Sequence, residues 1–211
     1  YYGYKIVDFW QDQSEIDEAN ADLPDGVDEY QEDMGVGRFR YADVSGDGRI
    51  TADDRTFLGD PNPDCTYVID IGLNWRAFDL NMFWYGSQGN DIWNQVKYWT
   101  DFYPSFNGAK SNTALNNSWT PDNRDAEAPI LENVSTFSTD NEPNSYYVED
   151  GSFLRLRSLQ LGYTLQPELL QRIGLNNVRV YVQANNLVTF TGYSGPDPEI
   201  GFYTGGDGGG G

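Results

Sequence analysis

Apolar and polar residues alternate over Cys65–Trp75: Tyr67, Ile69, Ile71, Leu73 and Trp75 share one face, and Thr66, Asp70, Gly72 and Asn74 share the other. That period of two is the mark of a strand with one face out of water. After a tight turn near Arg76-Ala77 the pattern resumes, with Phe78, Leu80, Met82 and Trp84 against Asp79, Asn81, Phe83 and Tyr85, which predicts a hairpin. A third strand is predicted over 153–165, where Leu159, Leu161, Tyr163 and Leu165 oppose Gln160, Gly162 and Thr164. Leu154 and Leu156 have the opposite parity, so one extra residue near Arg157-Ser158 would restore the apolar face, and a β-bulge is predicted there. The fourth strand, 178–190, sets Val178, Val180, Val182 and Ala184 against Arg179, Tyr181, Gln183 and Asn185. Residues 1–10 are a weaker strand candidate. Two short helices are predicted, 14–20 capped by Ser14 with Asp17 three residues on, and 166–174 with Pro167 in its first turn and Gly174 as its stop.

The connections alternate in length: long over 11–64, tight at Arg76, long over 88–149, short over 166–176, and long again from Thr191. Outer-membrane barrels place short turns on one side and long loops on the other, and their strands need about 9–11 residues each. Tyr67, Trp75, Phe78, Trp84 and Tyr163 sit where interfacial aromatic girdles would be. A soluble β-sandwich uses the same alternation, burying these faces against each other, and periodicity alone leaves both architectures open. The polar set Asp70, Asn74, Asp79, Asn81, Gln160 and Gln183 suits a wet lumen, and the one-sided loop lengths exceed those usual in sandwiches. The expected fold class is therefore all-β, a transmembrane antiparallel β-barrel with long extracellular loops.

Composition narrows the functions. The 211 residues include 23 Gly and 15% aromatics, which favours strands and turns over helices. With 33 acidic against 13 basic residues the net charge is −20, which excludes nucleic acid as a natural partner. Residues 12–33 hold ten acidic residues and no Lys or Arg, and read as a solvated loop. There is no His, which removes the commonest general base, and no carboxylate spacing selects a glycosidase pair, so no enzymatic activity is expected. The single Cys65 permits no internal disulfide and reads as a small core residue. No run of 18 apolar residues offers a helical span. The absence of an initiating Met and a leader, with the glycine-rich end, reads as a chain cut from a longer protein.

One segment carries a chemical mechanism. Residues 43–54 match the twelve-residue calcium loop, with oxygen donors at positions 1, 3, 5 and 12, Gly48 at position 6 and Ile50 at position 8. Asp43, Ser45 and Asp47 would give side-chain oxygens, Arg49 its carbonyl, Thr51 a hydroxyl or a water contact, and Asp54 the closing carboxylate. Position 12 is Asp instead of Glu, and Arg38-Phe39-Arg40-Tyr41 looks extended where a sensor would have a helix. A structural ion, calcium or magnesium, that pins an acidic outer loop is the expected role. The competing reading is an Asp/Gly turn held by its own backbone hydrogen bonds.

Several segments in order resemble the C-terminal part of SusC/RagA-like TonB-dependent transporters: Tyr1-Tyr2-Gly3-Tyr4, the run from Asp43 through Asp54 to Pro63, Gly86-Ser87-Gln88-Gly89-Asn90-Asp91 and Ser118-Trp119-Thr120-Pro121-Asp122-Asn123. Val148 to Leu156, Leu161-Gly162-Tyr163-Thr164-Leu165, Asn185-Asn186-Leu187 and Tyr193 to Glu199 complete the match, which spans nearly the whole chain. The resemblance implies residues 1–211 of a 22-stranded barrel in a Bacteroidota outer membrane, with a plug domain and the other strands lying elsewhere. It further implies a SusD-like surface lipoprotein, energy from the TonB complex, and oligosaccharides or peptides as cargo. Loop aromatics Trp93, Trp99, Tyr103 and Trp119 could then stack on substrate, although packing within the loops would place them equally well. The alternative function is a secreted, calcium-stapled β-sandwich that binds carbohydrate or serves adhesion, with Tyr67, Ile69, Ile71 and Leu73 packed inward.

Overall fold

A computed structural model describes residues 1–21, 23, 25–166, 170 and 174–199. In chain order its elements are β1 (Tyr2–Tyr4), β2 (Ile6–Phe9), α1 (Gln13–Ala21), β3 (Phe39–Tyr41), β4 (Arg55–Phe57), β5 (Cys65–Trp75), β6 (Phe78–Gln88), β7 (Asp91–Trp93), α2 (Gln95–Asp101), α3 (Asn112–Asn116), β8 (Val148–Asp150), β9 (Phe153–Thr164) and β10 (Arg179–Thr191). Two compact units result, one from Tyr1–Asp60 with Ile92–Glu149, the other from Pro61–Asp91 with the described part of Asp150–Gly211.

The second unit is a four-stranded antiparallel sheet in the order β10-β9-β6-β5. The hairpin forms as the alternation requires, Trp75 pairing with Phe78 across Arg76-Ala77, with Arg76 in the left-handed region at φ 55°. The bulge is present: Phe83 pairs with Ser158 and Trp84 with Leu156, so Arg157 is the extra residue on β9. A matching irregularity on β10 places Asn186, at φ 50°, and Leu187 between the pairs Asn185–Ser158 and Val188–Leu156. Tight and short connections close one end of the sheet. Cys65, Gln88, Phe153 and Thr191, from which the long segments depart, are at the other. The helix predicted over 166–174 falls largely on residues outside those described.

The long segments read as loops fold into the first unit. Its core is Tyr4, Phe39, Tyr41, Ile50, Phe102 and Tyr147, with Phe9, Tyr30, Trp93, Tyr98, Phe137 and Tyr146 packed against it. Tyr4 stacks on Tyr41 at 5.0 Å, and Phe137 meets both edge-on. A buried ring withdraws roughly 150–250 Å² from water, about 4–6 kcal/mol at 25 cal/mol per Å². Against about 1–2 kcal/mol per ordered residue, a few rings hold short β pairs that would not form alone. Residues 1–10 therefore divide at Lys5 into β1, paired with β4, and β2, paired with β3.

Three details differ from the sequence reading. The stretch 12–33 is not simply solvated: it contains α1 with Ile16 buried, and Gln31, fully buried, donates to the Phe39 carbonyl at 2.7 Å and accepts from the Tyr41 N–H at 2.9 Å. The cap of α1 is Asp12 and not Ser14: the Asp12 carboxylate accepts from the Glu15 N–H at 3.2 Å and from the Ser14 hydroxyl at 2.5 Å, which occupies the serine as a donor. Cys65 is exposed at the start of β5 and belongs to no core.

Candidate functional site

The sheet has two chemically distinct faces. With the bulges in place, its apolar rows are continuous: Trp75, Phe78 and Tyr163; Leu73, Leu80, Leu161 and Val182; Ile71, Met82, Leu159 and Ala184; Ile69, Trp84, Leu156 and Val188. The last row has Tyr67, Gly86, Leu154 and Phe190, and the Tyr67 ring lies over Gly86 where any Cβ would collide with it. Aromatics therefore close the apolar band near both ends, Trp75, Phe78 and Tyr163 at the turn end and Tyr67, Trp84 and Phe190 at the other. This face is open: Val182 is 73% exposed, Trp75 65%, Val180 58% and Leu161 50%. A sealed sandwich interior would bury these side chains, and Tyr67, Ile69 and Leu73 do not pack inward either.

On the opposite face the polar side chains join. Arg179 on β10 donates to both carboxylate oxygens of Asp79 on β6 and to the Gln160 carbonyl oxygen at 2.9 Å. Gln160 donates to Gln183, which donates to Asn185 at 3.0 Å, and Asn81 donates to Asp79 at 3.4 Å. Gly162 makes the pairing possible, since a Cβ there would enter the space of the Asp79 carboxylate and the Arg179 guanidinium. The alternation marks Asp79, Asn81, Gln160 and Gln183 as polar-face residues; Arg179 is on the same parity, but only the register shows that it meets Asp79.

In the first unit, single carboxylate oxygens of Asp43, Asp47 and Asp54 lie within 4.8 Å of one another. Asp54 is fully buried and accepts from the N–H groups of Val44 and Ser45, both at 2.9 Å, and of Thr51 at 2.7 Å. Burial alone would raise its pKa; those hydrogen bonds outweigh burial and hold the carboxyl below the usual carboxylate value. Asp43 accepts from Gly46 at 2.6 Å and Gly48 at 2.9 Å, and Asp47 accepts from the Arg49 N–H at 3.2 Å. Ser45 donates to Asp43 at 3.3 Å, and Thr51 caps the 3-10 turn of residues 52–54. Ile50 is buried in the aromatic core and its N–H donates to the Tyr30 carbonyl at 2.6 Å, which ties the loop to the unit.

The four candidate substrate aromatics occupy different surroundings. Trp119 is 3% exposed and donates to Gln11 at 3.0 Å; beside it lies a cavity of about 300 Å³ lined by Leu115, Pro121, Asn123, Ile130 and Leu131 among others. Trp93 packs on Tyr147 at 5.0 Å and donates to Gln95. Trp99, 46% exposed, meets Tyr98 edge-on at 4.9 Å, and Tyr103, 39% exposed, has the Lys110 ammonium 5.2 Å from its ring. No periodic signal along 88–149 could have sorted buried Trp119 and half-buried Trp93 from the exposed pair, because Gln11 and Tyr147, which cover them, come from distant parts of the chain.

The chain is 34% identical to TonB-dependent receptor P3 of Formosa agariphila over 203 residues, covering 96% of this chain and 18% of that protein. TonB-dependent receptor P26 of the same organism is 30% identical, over 93% of this chain and 19% of its own length. TonB-dependent receptor SusC of Bacteroides thetaiotaomicron is 25% identical over 76% of this chain and 15% of its own length. No family model matches. The fold is shared with the RagAB peptide transporter, with a TM-score of 0.68 and 24% identity over 95% of this chain and 20% of that one. The open-open state of the RagAB peptide importer gives a TM-score of 0.61 at 25% identity. The chain thus spans about one fifth of the length of the relatives it matches, and no helix among its described residues is long and apolar enough to cross a membrane. Along that stretch the chain is a relative of the TonB-dependent receptors, SusC among them, and shares the fold of RagAB.

Proposed function

We propose that the four-stranded sheet is barrel wall, and the aromatic unit outer loop, of a 22-stranded TonB-dependent importer of oligosaccharides or peptides in a Bacteroidota outer membrane. The continuous apolar face, open and bounded by aromatics, carries the reading: in lipid such a face needs no cover, whereas in water it would be an aggregation surface. Among the described residues β5 and β10 are the edges of the sheet, which points to further strands, because each unpaired backbone group in hydrocarbon costs several kcal/mol. A SusD-like lipoprotein would dock on the long loops and the TonB complex would supply energy through a plug domain. Trp99 and Tyr103, the exposed pair, are the loop aromatics best placed to reach cargo; the chain performs no catalysis in this scheme.

The same reading gives the loop 43–54 a structural calcium ion. Three clustered carboxylates with a serine, a threonine and a backbone carbonyl form an all-oxygen donor set of the kind a hard cation takes, and anchoring at Ile50 would let the ion stiffen the unit.

The decisive experiment uses the full-length transporter with Cys65→Ser, reconstituted into vesicles, with one environment-sensitive label at Leu161→Cys or at Gln160→Cys. Quenching by doxyl-lipid at position 161 and by aqueous iodide at position 160 is expected. Aqueous quenching at both positions, with none from lipid, would overturn the assignment of faces.

A further inference from the structure

We infer that Arg155, helped by Arg157, is a positioning residue that clasps the segment after β10 onto the polar face, making residues 193–199 a fixed strap at the long-loop end of the sheet. This rests on the reading of that face as the wet one. Arg155 pairs with Tyr85 and Thr189 in the ladders, which places it on the polar face, and its side chain is only 9% exposed. Its guanidinium donates from Nε to the Thr189 hydroxyl at 2.9 Å, from Nη1 to Glu199 at 2.8 Å and from Nη2 to Asp197 at 2.5 Å. Arg157 donates to the other oxygen of Glu199, so one carboxylate is gripped by two cations. The Phe153 ring lies 5.5 Å from the Arg155 guanidinium and the Tyr85 ring 4.6 Å from that of Arg157.

The bulge acquires a second role here. Arg157, the extra residue of the bulge, stands outside the ladder, and its guanidinium meets the carboxylate that Arg155 also holds. Within the strap, Asp197 accepts from the Glu199 N–H at 2.8 Å, Tyr193 is buried, and Pro196 and Pro198 restrict the backbone. Two sequence segments that carry the resemblance, the one ending in Phe153-Leu154-Arg155-Leu156 and the one ending in Pro196-Asp197-Pro198-Glu199, are therefore the two halves of one contact, 42 and 44 residues apart. A planar fork with donors at fixed angles fits this double capture, and a lysine would not reproduce it.

The test places a nitroxide at Ser194→Cys in the full-length, Cys65→Ser transporter in detergent. An immobilised spectrum is expected for the parent, a mobile one for Arg155→Gln, and an intermediate one for Arg155→Lys. Exchange of the backbone N–H groups over 193–199 should speed up about tenfold or more in Arg155→Gln, as expected when hydrogen bonds between charged groups are lost. Asp197→Asn and Glu199→Gln, which lie outside the strands, should reproduce both effects if Arg155→Gln impairs folding. A label that stays immobile in these variants while the barrel retains heat-modifiable migration would overturn the clasp, and so would a mobile label in the parent. Neither result alters lipid quenching at Leu161, so failure of the clasp and failure of the face assignment are separable.

Discussion

An arginine walked along the apolar face of β10 should report the bilayer as a depth profile. Val180, Val182 and Ala184 stand in successive rows, Val180 beside the aromatic Tyr163 and Ala184 in the central row with Ile71, Met82 and Leu159. Successive rows are two residues apart, about 6.8 Å along a strand, or about 5 Å in depth at the usual barrel tilt. The five rows from Trp75 to Tyr67 thus span about 21 Å of depth, close to the roughly 25 Å apolar band of such barrels. Ala184→Arg, about 10 Å below the aromatic row, should cost about 2–4 kcal/mol, Val182→Arg an intermediate amount, and Val180→Arg about 0–1 kcal/mol. Gln183→Arg, on the wet face between them, should be near neutral. Urea titration of the full-length transporter folded into phosphatidylcholine vesicles measures the series. On a solvent-exposed soluble face Val182, 73% exposed, would accept arginine at almost no cost, so a flat profile along β10 would refute a lipid-facing sheet.

Three further outcomes are expected. Calcium should raise the thermal midpoint of tryptophan fluorescence, and Asp43→Asn or Asp54→Asn should abolish the increase; because the folded pKa of Asp54 is lowered, its contribution is present above about 3.9, the unfolded value, and is lost as the pH falls through the lower folded value, so acid melts should weaken there. Tyr147→Phe should leave stability unchanged or gain up to ~1 kcal/mol, since its buried hydroxyl has no partner among the described residues, whereas Tyr147→Ala should lose about 3–5 kcal/mol, as read by protease resistance of the loop unit. Gly162→Ala should push Asp79 away from Arg179 and cost about 1–3 kcal/mol, the usual cost of overpacking, visible in the same urea titration.

The sheet was legible because each of its strands has one greasy face, and a period of two then fixes which residues point together. Cys65–Trp75 begins and ends where the alternation does, and the parity break at Leu156 placed a bulge near Arg157-Ser158 without any partner strand in view; the register then singles out Arg157. What alternation cannot show is who lies opposite: Arg179 and Asp79 are 100 residues apart, and only the register of three strands brings them to one carboxylate. The cap of α1 lies two residues earlier than Ser14, at Asp12, because two cap-forming residues so close together each fit a helix start and the sequence does not rank them.

The loop unit was hidden for a different reason. Its core joins Tyr4 to Tyr41, Tyr41 to Phe137, and Phe102 to Tyr146, contacts between segments that carry no repeating pattern. Periodicity arises when one element meets one neighbour along its length; here each short strand gives one or two rings to a shared cluster and then departs. The same geometry explains why the acidic loop was readable while its surroundings were not, because the spacing of Asp43, Asp47 and Asp54 is a local requirement of twelve residues. Ile50 is the link between the two scales. It occupies the aliphatic position of the loop and also a place in the aromatic core, so a change in ion occupancy at the carboxylates would be felt first in the packing around Tyr30 and Tyr41.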